Sequence, residues 1–302
     1  MSKQDILTFR GLEKSFGNKK VLCGLDMSVP EGSIFGFVGR NGAGKTTAMK
    51  AALGLLRADG GEITVAGERV RFGQTQTNRF VGYLPDVPEF YSFMTAREYL
   101  RLCGESIGME KGDIESRSEE LLTLVGLCGE KHRIKGYSRG MKQRLGIAQA
   151  LLGRPRLLIC DEPTSALDPI GRKEILDILS SVREHTTVLF STHILSDVER
   201  ICTDAALLDG GKIVMQGSVD ELKAMARGEE FAVETADSGD AVRLLDAFGG
   251  CRMDEKGAVV FSGGDSLMFE VIEYIKENRI SFNRVERCEP TLESLFVKAV
   301  KK

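Results

Sequence analysis

Gly39-Arg40-Asn41-Gly42-Ala43-Gly44-Lys45-Thr46-Thr47 fits the pattern G-x-x-x-x-G-K-[ST] at every fixed position, and the apolar run Ile34-Phe35-Gly36-Phe37-Val38 leads directly into it. A strand that feeds a glycine-rich loop and then a helix is the context this pattern requires. The glycines let consecutive backbone N–H groups turn inward toward a polyphosphate, and a helix beginning near Lys45 adds the positive end of its dipole. Lys45 supplies a point charge to the outer phosphates, and the Thr46 hydroxyl is placed to ligate Mg²⁺.

Upstream of the loop, residues 5–35 read as short strands, 6–9 and 21–29, broken by Gly17-Asn18 and by Pro30-Glu31-Gly32. This pattern predicts an antiparallel sheet ahead of the phosphate loop. Phe16 falls in the turn between the strands, where its ring either stacks on a nucleotide base or packs as an ordinary turn aromatic. Downstream, 46–56 has helical spacing and ends at Asp59-Gly60-Gly61, further strands follow at 63–67 and 80–84, and Pro85-Asp86-Val87-Pro88 breaks the pattern. The stretch 95–152 is helix-rich, with helices expected at 96–107, 113–125 and 141–152. Within it, Tyr137-Ser138-Arg139-Gly140-Met141-Lys142-Gln143-Arg144 is a Ser/Gly turn that opens into a helix. On its own it is a helix start with a second potential anion site.

The other strong constellation is Leu157-Leu158-Ile159-Cys160-Asp161-Glu162-Pro163. Four apolar residues predict a buried strand whose end delivers two acids. Successive strand residues point to opposite faces, so the two carboxylates cannot do the same job. One can serve the Mg²⁺ shell while the other orients or deprotonates a water. Thr187-Val188-Leu189-Phe190-Ser191-Thr192-His193 is a further strand ending in a lone histidine, which is either a polar cap or a neutral imidazole facing a γ-phosphate.

The chain of 302 residues carries a formal charge of −3 with its basic residues dispersed, which removes any global electrostatic case for nucleic-acid binding. Its seven cysteines are odd in number and never spaced C-x-x-C, a usage of reduced thiols in a cytosolic compartment; Cys128 and His132 alone could share a helix face. The first residues lack the apolar core of a signal peptide, and no run reaches the ~18 apolar residues of a membrane span, so a membrane function would need another chain.

Taken in order, these stretches resemble the ATP-binding cassette family over roughly 7–222. Gly39 to Thr47 is similar to its Walker A loop, Leu157 to Glu162 to its Walker B strand, Ser138 to Gln143 to its signature motif, Ser165 to Asp168 to its D-loop, and His193 to its switch histidine. The resemblance implies a head-to-tail dimer, of two copies or of close relatives, with ATP between the Walker loop of one subunit and the signature turn of the other. It implies that Lys45 grips the phosphates, Thr46 and Asp161 serve Mg²⁺, Glu162 polarises the attacking water and His193 contacts the γ-phosphate. Ser138 and Gly140, flanked by Arg139 and Met141, would bind that phosphate in trans, and Phe16 takes the place of the base-stacking aromatic. Two departures stand out. Asp86 occupies the Q-loop position where glutamine is usual, with a water-mediated reach to Mg²⁺. The signature reads Ser-Arg-Gly-Met where Ser-Gly-Gly-Gln is commoner, as in the branch serving drug, antibiotic or polysaccharide exporters.

Past Gly217 the composition changes. A linking helix is expected from Ser218, and 229–302 reads strand, helix, strand, strand, helix, strand, a ferredoxin-like plan. A last segment, 290–297, carries an apolar stripe of Leu292, Leu295, Phe296 and Ala299. The expected fold is therefore α/β: a P-loop NTPase core with an N-terminal antiparallel β-subdomain and a helical subdomain at about 87–155, all within 1–228, plus a small C-terminal α+β domain at 229–302. The expected role is an ATP-hydrolysing subunit that works on separate membrane-spanning subunits from the inner face of the membrane. The rivals are a soluble ATPase of the same family and an ATP-dependent clamp of low turnover.

Overall fold

Strands β1 (Asp5–Phe16) and β2 (Lys19–Pro30) form a long antiparallel hairpin. The next strand, β3 (Ile34–Gly39), enters a second sheet and is followed by helix α1 (Lys45–Ala52). The chain then returns as β4 (Gly60–Val65), which pairs with β1, and β5 (Glu68–Arg69) lies on its outer edge. Strand β1 runs well past the 6–9 expected from its apolar residues. Its register shifts between Phe9 and Leu12, where Gly11 adopts a φ of 57° and donates to Asp26 Oδ1 at 2.7 Å. That bulge lets the strand continue under a broken alternation, which a period-two reading misses. Phe16 is accordingly the last residue of β1, opposite Lys19.

Strand β6 (Val81–Leu84) precedes the helices α2 (Ala96–Ser106), α3 (Lys111–Leu124) and α4 (Arg139–Leu151), after which come β7 (Leu157–Cys160), α5 (Pro169–Ser181), β8 (Thr187–Thr192), α6 (Leu195–Ile201), β9 (Asp204–Asp209) and β10 (Lys212–Ser218). The second sheet has the order β10-β9-β3-β8-β7-β6. Its pairs from β9 to β6 are parallel, and β10 is antiparallel to β9. Every residue of β3, β7 and β8 is buried, as strands covered on both faces must be. Phe35 and Phe37 of β3, Met49 of α1 and Leu7 and Phe9 of β1 share one core, so the antiparallel layer and the phosphate-loop helix pack on the central sheet. Each such side chain contributes about 1.5–3 kcal/mol by leaving water.

Local signals set the helix ends. Thr95 and Glu98 close a capping box on α2. The first helix stops at Ala52, short of the expected Leu56, because Gly54 turns left-handed at φ 68° and the Leu55 N–H donates to Lys50 O. The structure, a computed structural model, describes residues 4–74, 76–225, 230–254, 256–288, 291–293 and 295–296.

The chain divides into two compact units, 1–219 and 220–302. Helix α7 (Val219–Met225) begins at the division. The second unit contains β11 (Glu230–Thr235), α8 (Ser238–Ala247), β12 (Arg252–Met253), β13 (Val259–Ser262), α9 (Asp265–Glu277) and β14 (Phe282–Arg287), in a fully antiparallel sheet of order β12-β13-β11-β14. This is the ferredoxin-like strand order. Its core stacks Phe231 on Phe261 at 4.9 Å, with Val233, Leu244, Val271 and Ile275 around them. Of the final stripe, Leu292 and Leu295 are buried and Phe296 is half-buried, whereas Ala299 lies outside the described residues.

Candidate functional site

Four neighbouring strands of the parallel sheet, β3, β8, β7 and β6, end on the same side, and each releases a side chain singled out from the sequence. Gly39 opens the phosphate loop after β3, His193 follows β8, Asp161 and Glu162 follow β7, and Asp86 follows β6. Carboxyl ends of parallel strands are where open α/β sheets bind ligands. Between them lies a cavity of about 430 Å³, lined by Val21, Asn41, Gly42, Gly44, Lys45, Thr46, Thr47, Asp86, Glu162, Ser165 and His193.

The loop admits no substitution at two of its glycines. A Cβ on Gly39 would lie 2.7 Å from Leu208 O, and one on Gly44, which adopts a φ of 113°, would lie 2.9 Å from Leu22 Cδ2. Arg40 is exposed and Ala43 half-buried, and neither lines the cavity. Helix α1 starts at Lys45 with no acid in its first turn, so its N-terminal field faces the cavity uncancelled. Lys45 is 5% exposed and donates from Nζ to Gly39 O at 2.6 Å and to Arg40 O at 3.3 Å. The same ammonium stands 3.1 Å from Glu162 Oε1, a buried oxygen that has no hydrogen-bond partner.

Asp161 and Glu162 diverge as the strand alternation requires, and one hydroxyl holds both. Ser191, fully buried in β8, donates from Oγ to Asp161 Oδ1 at 2.8 Å and accepts from the Glu162 N–H at 2.9 Å. Glu162 has a φ of 47°, a left-handed conformation that costs a residue with a side chain about 1–2 kcal/mol. The Ser191 bond pins that turn and aims the carboxylate at Lys45 on one side and at His193 on the other, where His193 Nδ1 lies 3.0 Å from Glu162 Oε2. With its proton on Nδ1 the imidazole donates to Glu162. Ser191 is a residue that motif reading passed over. Its sequence signal is weak, one hydroxyl among the three of β8, with Thr187 and Thr192 the others.

Other expected residues lie outside the cavity. Ser138 is exposed and caps α4, its Oγ accepting from the Met141 N–H at 3.2 Å, with Gly140 in the first helical turn. Arg139, also exposed, donates to Ser165 Oγ at 3.3 Å. Asp168 is exposed and caps α5, accepting from the Gly171 N–H at 3.1 Å, with Pro169 in the first turn. Phe16 is half-exposed, and the Lys14 ammonium lies 5.3 Å from its ring centre. Cys128 donates to Glu119 and His132 pairs with Glu130, so these two side chains turn to different partners.

A phosphate loop at the head of a parallel sheet, with an Asp-Glu pair at the end of a strand two places away, defines a P-loop nucleotide hydrolase, here with added antiparallel and helical layers. A family model described as ABC transporter matches residues 22–165. The uncharacterized ABC transporter ATP-binding protein YxlF of Bacillus subtilis is 36% identical, over 98% of this chain and 99% of its own. The bacitracin transport ATP-binding protein BcrA of Bacillus licheniformis is 35% identical over 98% and 97%, and the daunorubicin resistance ATP-binding protein DrrA3 of Streptomyces coeruleorubidus is 33% identical over 96% and 94%. Among solved structures, an ATP-binding subunit of an ABC transporter superposes with a TM-score of 0.65 at 31% identity, covering 73% of this chain and 92% of that one. The chain belongs to the ABC transporter family as an ATP-binding, ATP-hydrolysing subunit. No helix among the described residues is long and apolar enough to cross a membrane.

Proposed function

We propose that this subunit powers an exporter by closing on ATP with a second copy or a close relative, head to tail, and passing that closure to membrane-spanning partners at the inner face of the membrane. The observation that carries this reading is the division of the anion-binding parts. Lys45, Thr46, Glu162 and His193 share one cavity, whereas the Ser138 turn is exposed and lies outside it. A second subunit's Ser138 and Gly140 would complete the pocket. The relatives named for bacitracin transport and daunorubicin resistance, together with the Ser-Arg-Gly-Met signature, favour export.

In this reading Lys45 and the N–H groups of the loop stabilise charge on the outer phosphates. Glu162, held between Lys45 and His193, orients the attacking water and accepts its proton. Ser191 fixes the Asp161 carboxylate and the Glu162 main chain, and His193 offers its other ring nitrogen to the terminal phosphate. Phe16, half-exposed at the end of β1, would stack on the base, and exposed Arg40 within the loop would face the phosphates. Magnesium fits the donors present. Thr46 and Asp161 offer hard oxygen ligands, and among the described residues no group of three or more His, Cys, Asp or Glu could hold a metal alone. That suits an ion carried mainly by the phosphates, to which it would supply charge neutralisation. Asp86 is available to it through water.

Support for a partner comes from the helical layer. Val87, Tyr91 and Phe93 are more than half exposed, and a second cavity of about 430 Å³ lined by Val87, Pro88 and Phe90 shares Asp86 with the first. Exposed apolar side chains grouped in this way mark an interaction surface. We assign the ATPase to 1–228 and an accessory role to 229–302. The test of the catalytic reading is Glu162→Gln: hydrolysis falls by about 10²–10⁴-fold while ATP stays bound and subunits pair. Hydrolysis at the parental rate would remove Glu162 from the mechanism.

A further inference from the structure

The two departures from the family's usual pattern, Asp86 and Arg139, lie side by side. An Arg139 guanidinium nitrogen stands 3.7 Å from Asp86 Oδ1 and donates to Ser165 Oγ at 3.3 Å, and Ser165 Oγ donates to the same Asp86 oxygen at 2.5 Å. One turn further along α4, Gln143 donates from Nε2 to the Asp86 carbonyl at 3.0 Å. Positions four apart share a helix face, so the start of α4 holds both the side chain and the main chain of the residue that follows β6. Gln143 is fully buried and its Oε1 has no hydrogen-bond partner, so the tie to Asp86 is the one hydrogen bond of its side chain among the described residues.

Asp86 borders the cavity of the phosphate loop together with Ser165, and it borders the neighbouring cavity together with Arg139. A carboxylate at that rim repels a triphosphate, where a neutral glutamine would not. Its charge is tolerable there if a cation is kept against it and if its oxygen is engaged away from the phosphates.

We infer that Arg139 acts within its own subunit as a positioning residue, neutralising Asp86 and, through Ser165, holding that carboxylate at the rim of the nucleotide cavity. The two departures are then one exchange in physical terms, an acid and a base set where the commoner pattern has uncharged residues. The inference rests on the reading of the first cavity as the ATP site. It gives Arg139 a task distinct from any contact of the signature turn across a dimer.

The test is a double-mutant cycle read as the affinity of the full chain for ATP, measured by calorimetry with metal removed by chelator, at a protein concentration that keeps the chain monomeric. Both side chains are half-exposed, so Arg139→Ala weakens ATP by about threefold to fivefold, the scale of an exposed ion pair. In an Asp86→Asn background the same change costs less than about 1.5-fold, and Arg139→Lys recovers most of the loss. Arg139→Gln, which keeps a donor for Ser165 but no charge, repeats the cycle should the alanine variant fold poorly. Equal losses in both backgrounds, or no loss in either, overturn the inference while the ATP site stands. A parental chain that binds no ATP overturns the site reading, and this one with it.

Discussion

The phosphate loop and the signature turn are built from the same element, a helix N-terminus after a tight turn, and they differ in what surrounds them. At the first, Gly39 is pressed against Leu208 O, Gly44 against Leu22, and a buried Lys45 points back along the loop. At the second, Ser138 caps an exposed helix start and a Cβ on Gly140 would meet nothing closer than Leu167 Cδ2 at 3.9 Å. One anion site is finished by its own chain, with sheet strands behind it and a fixed cation beside it. The other is exposed, with Arg139 and Lys142 of its first turn lining a separate cavity. A helix N-terminus becomes a strong anion site only when neighbouring structure excludes water and fixes charge, and in the proposed dimer a second subunit would supply those surroundings.

Substitutions sharpen that contrast in a definite order. Lys45→Ala removes the one cation of the finished site and lowers ATP hydrolysis by about 10²–10³-fold, with nucleotide binding lost in parallel in a fluorescence titration. Ser138→Ala lowers hydrolysis by about tenfold or more, yet leaves ATP affinity of the dilute chain unchanged and costs only about 1 kcal/mol in thermal unfolding, the value of a helix cap. Were dilute-chain affinity to fall as well, the two sites would not be separate. Gly39→Ala drives a Cβ into a backbone oxygen and destabilises by about 1–3 kcal/mol; Gly140→Ala, with room for its methyl group, changes stability by less than about 1 kcal/mol. Thermal melts of the pair would blur the contrast if both fell equally.

The smallest effect concerns the floor of the finished site. Cys160 immediately precedes Asp161, and burial pushes its thiol far above the ordinary range, as it does for the Cys202 thiol. Buried Cys160 does not react with a maleimide at pH 8, where a thiol of raised pKa stays protonated and this side chain is out of reach, whereas exposed Cys128 is labelled first. Fast labelling of Cys160 would mean that the cavity floor opens in solution.

Most of this site was legible before any coordinates, because phosphate chemistry dictates residue types at fixed spacing along the chain: Gly39, Gly44, Lys45 and Thr46 after a strand, and Asp161 and Glu162 after another. The contacts between segments were not legible. Ser191 reads as one of three hydroxyl residues in β8, and only the parallel pairing of β7 and β8 makes it the tie between the Asp161 carboxylate and the Glu162 N–H. The meeting of Asp86, Arg139 and Ser165 is likewise a property of the sheet order, which brings β6 beside β7 under the start of α4. In the fold, the element types that were read followed from periodicity, two of their boundaries moved where a glycine changed the rule, and α6, β9 and β10 went unread. Gly11 extends β1 by a bulge, and Gly54 ends α1 a turn early. The antiparallel order of the C-terminal sheet followed from six alternating segments, although its short strand, Arg252–Met253, keeps only two of the residues expected for it.

In the proposed dimer a working pocket takes its loop from one subunit and its signature turn from another. Mixing Lys45→Ala chains with Ser138→Ala chains, each nearly inactive alone, tests it by the hydrolysis rate of the mixture. Random head-to-tail pairing leaves one intact composite pocket in half of the dimers, so about a quarter of parental activity should return. A mixture no more active than its two components would contradict a pocket shared between chains.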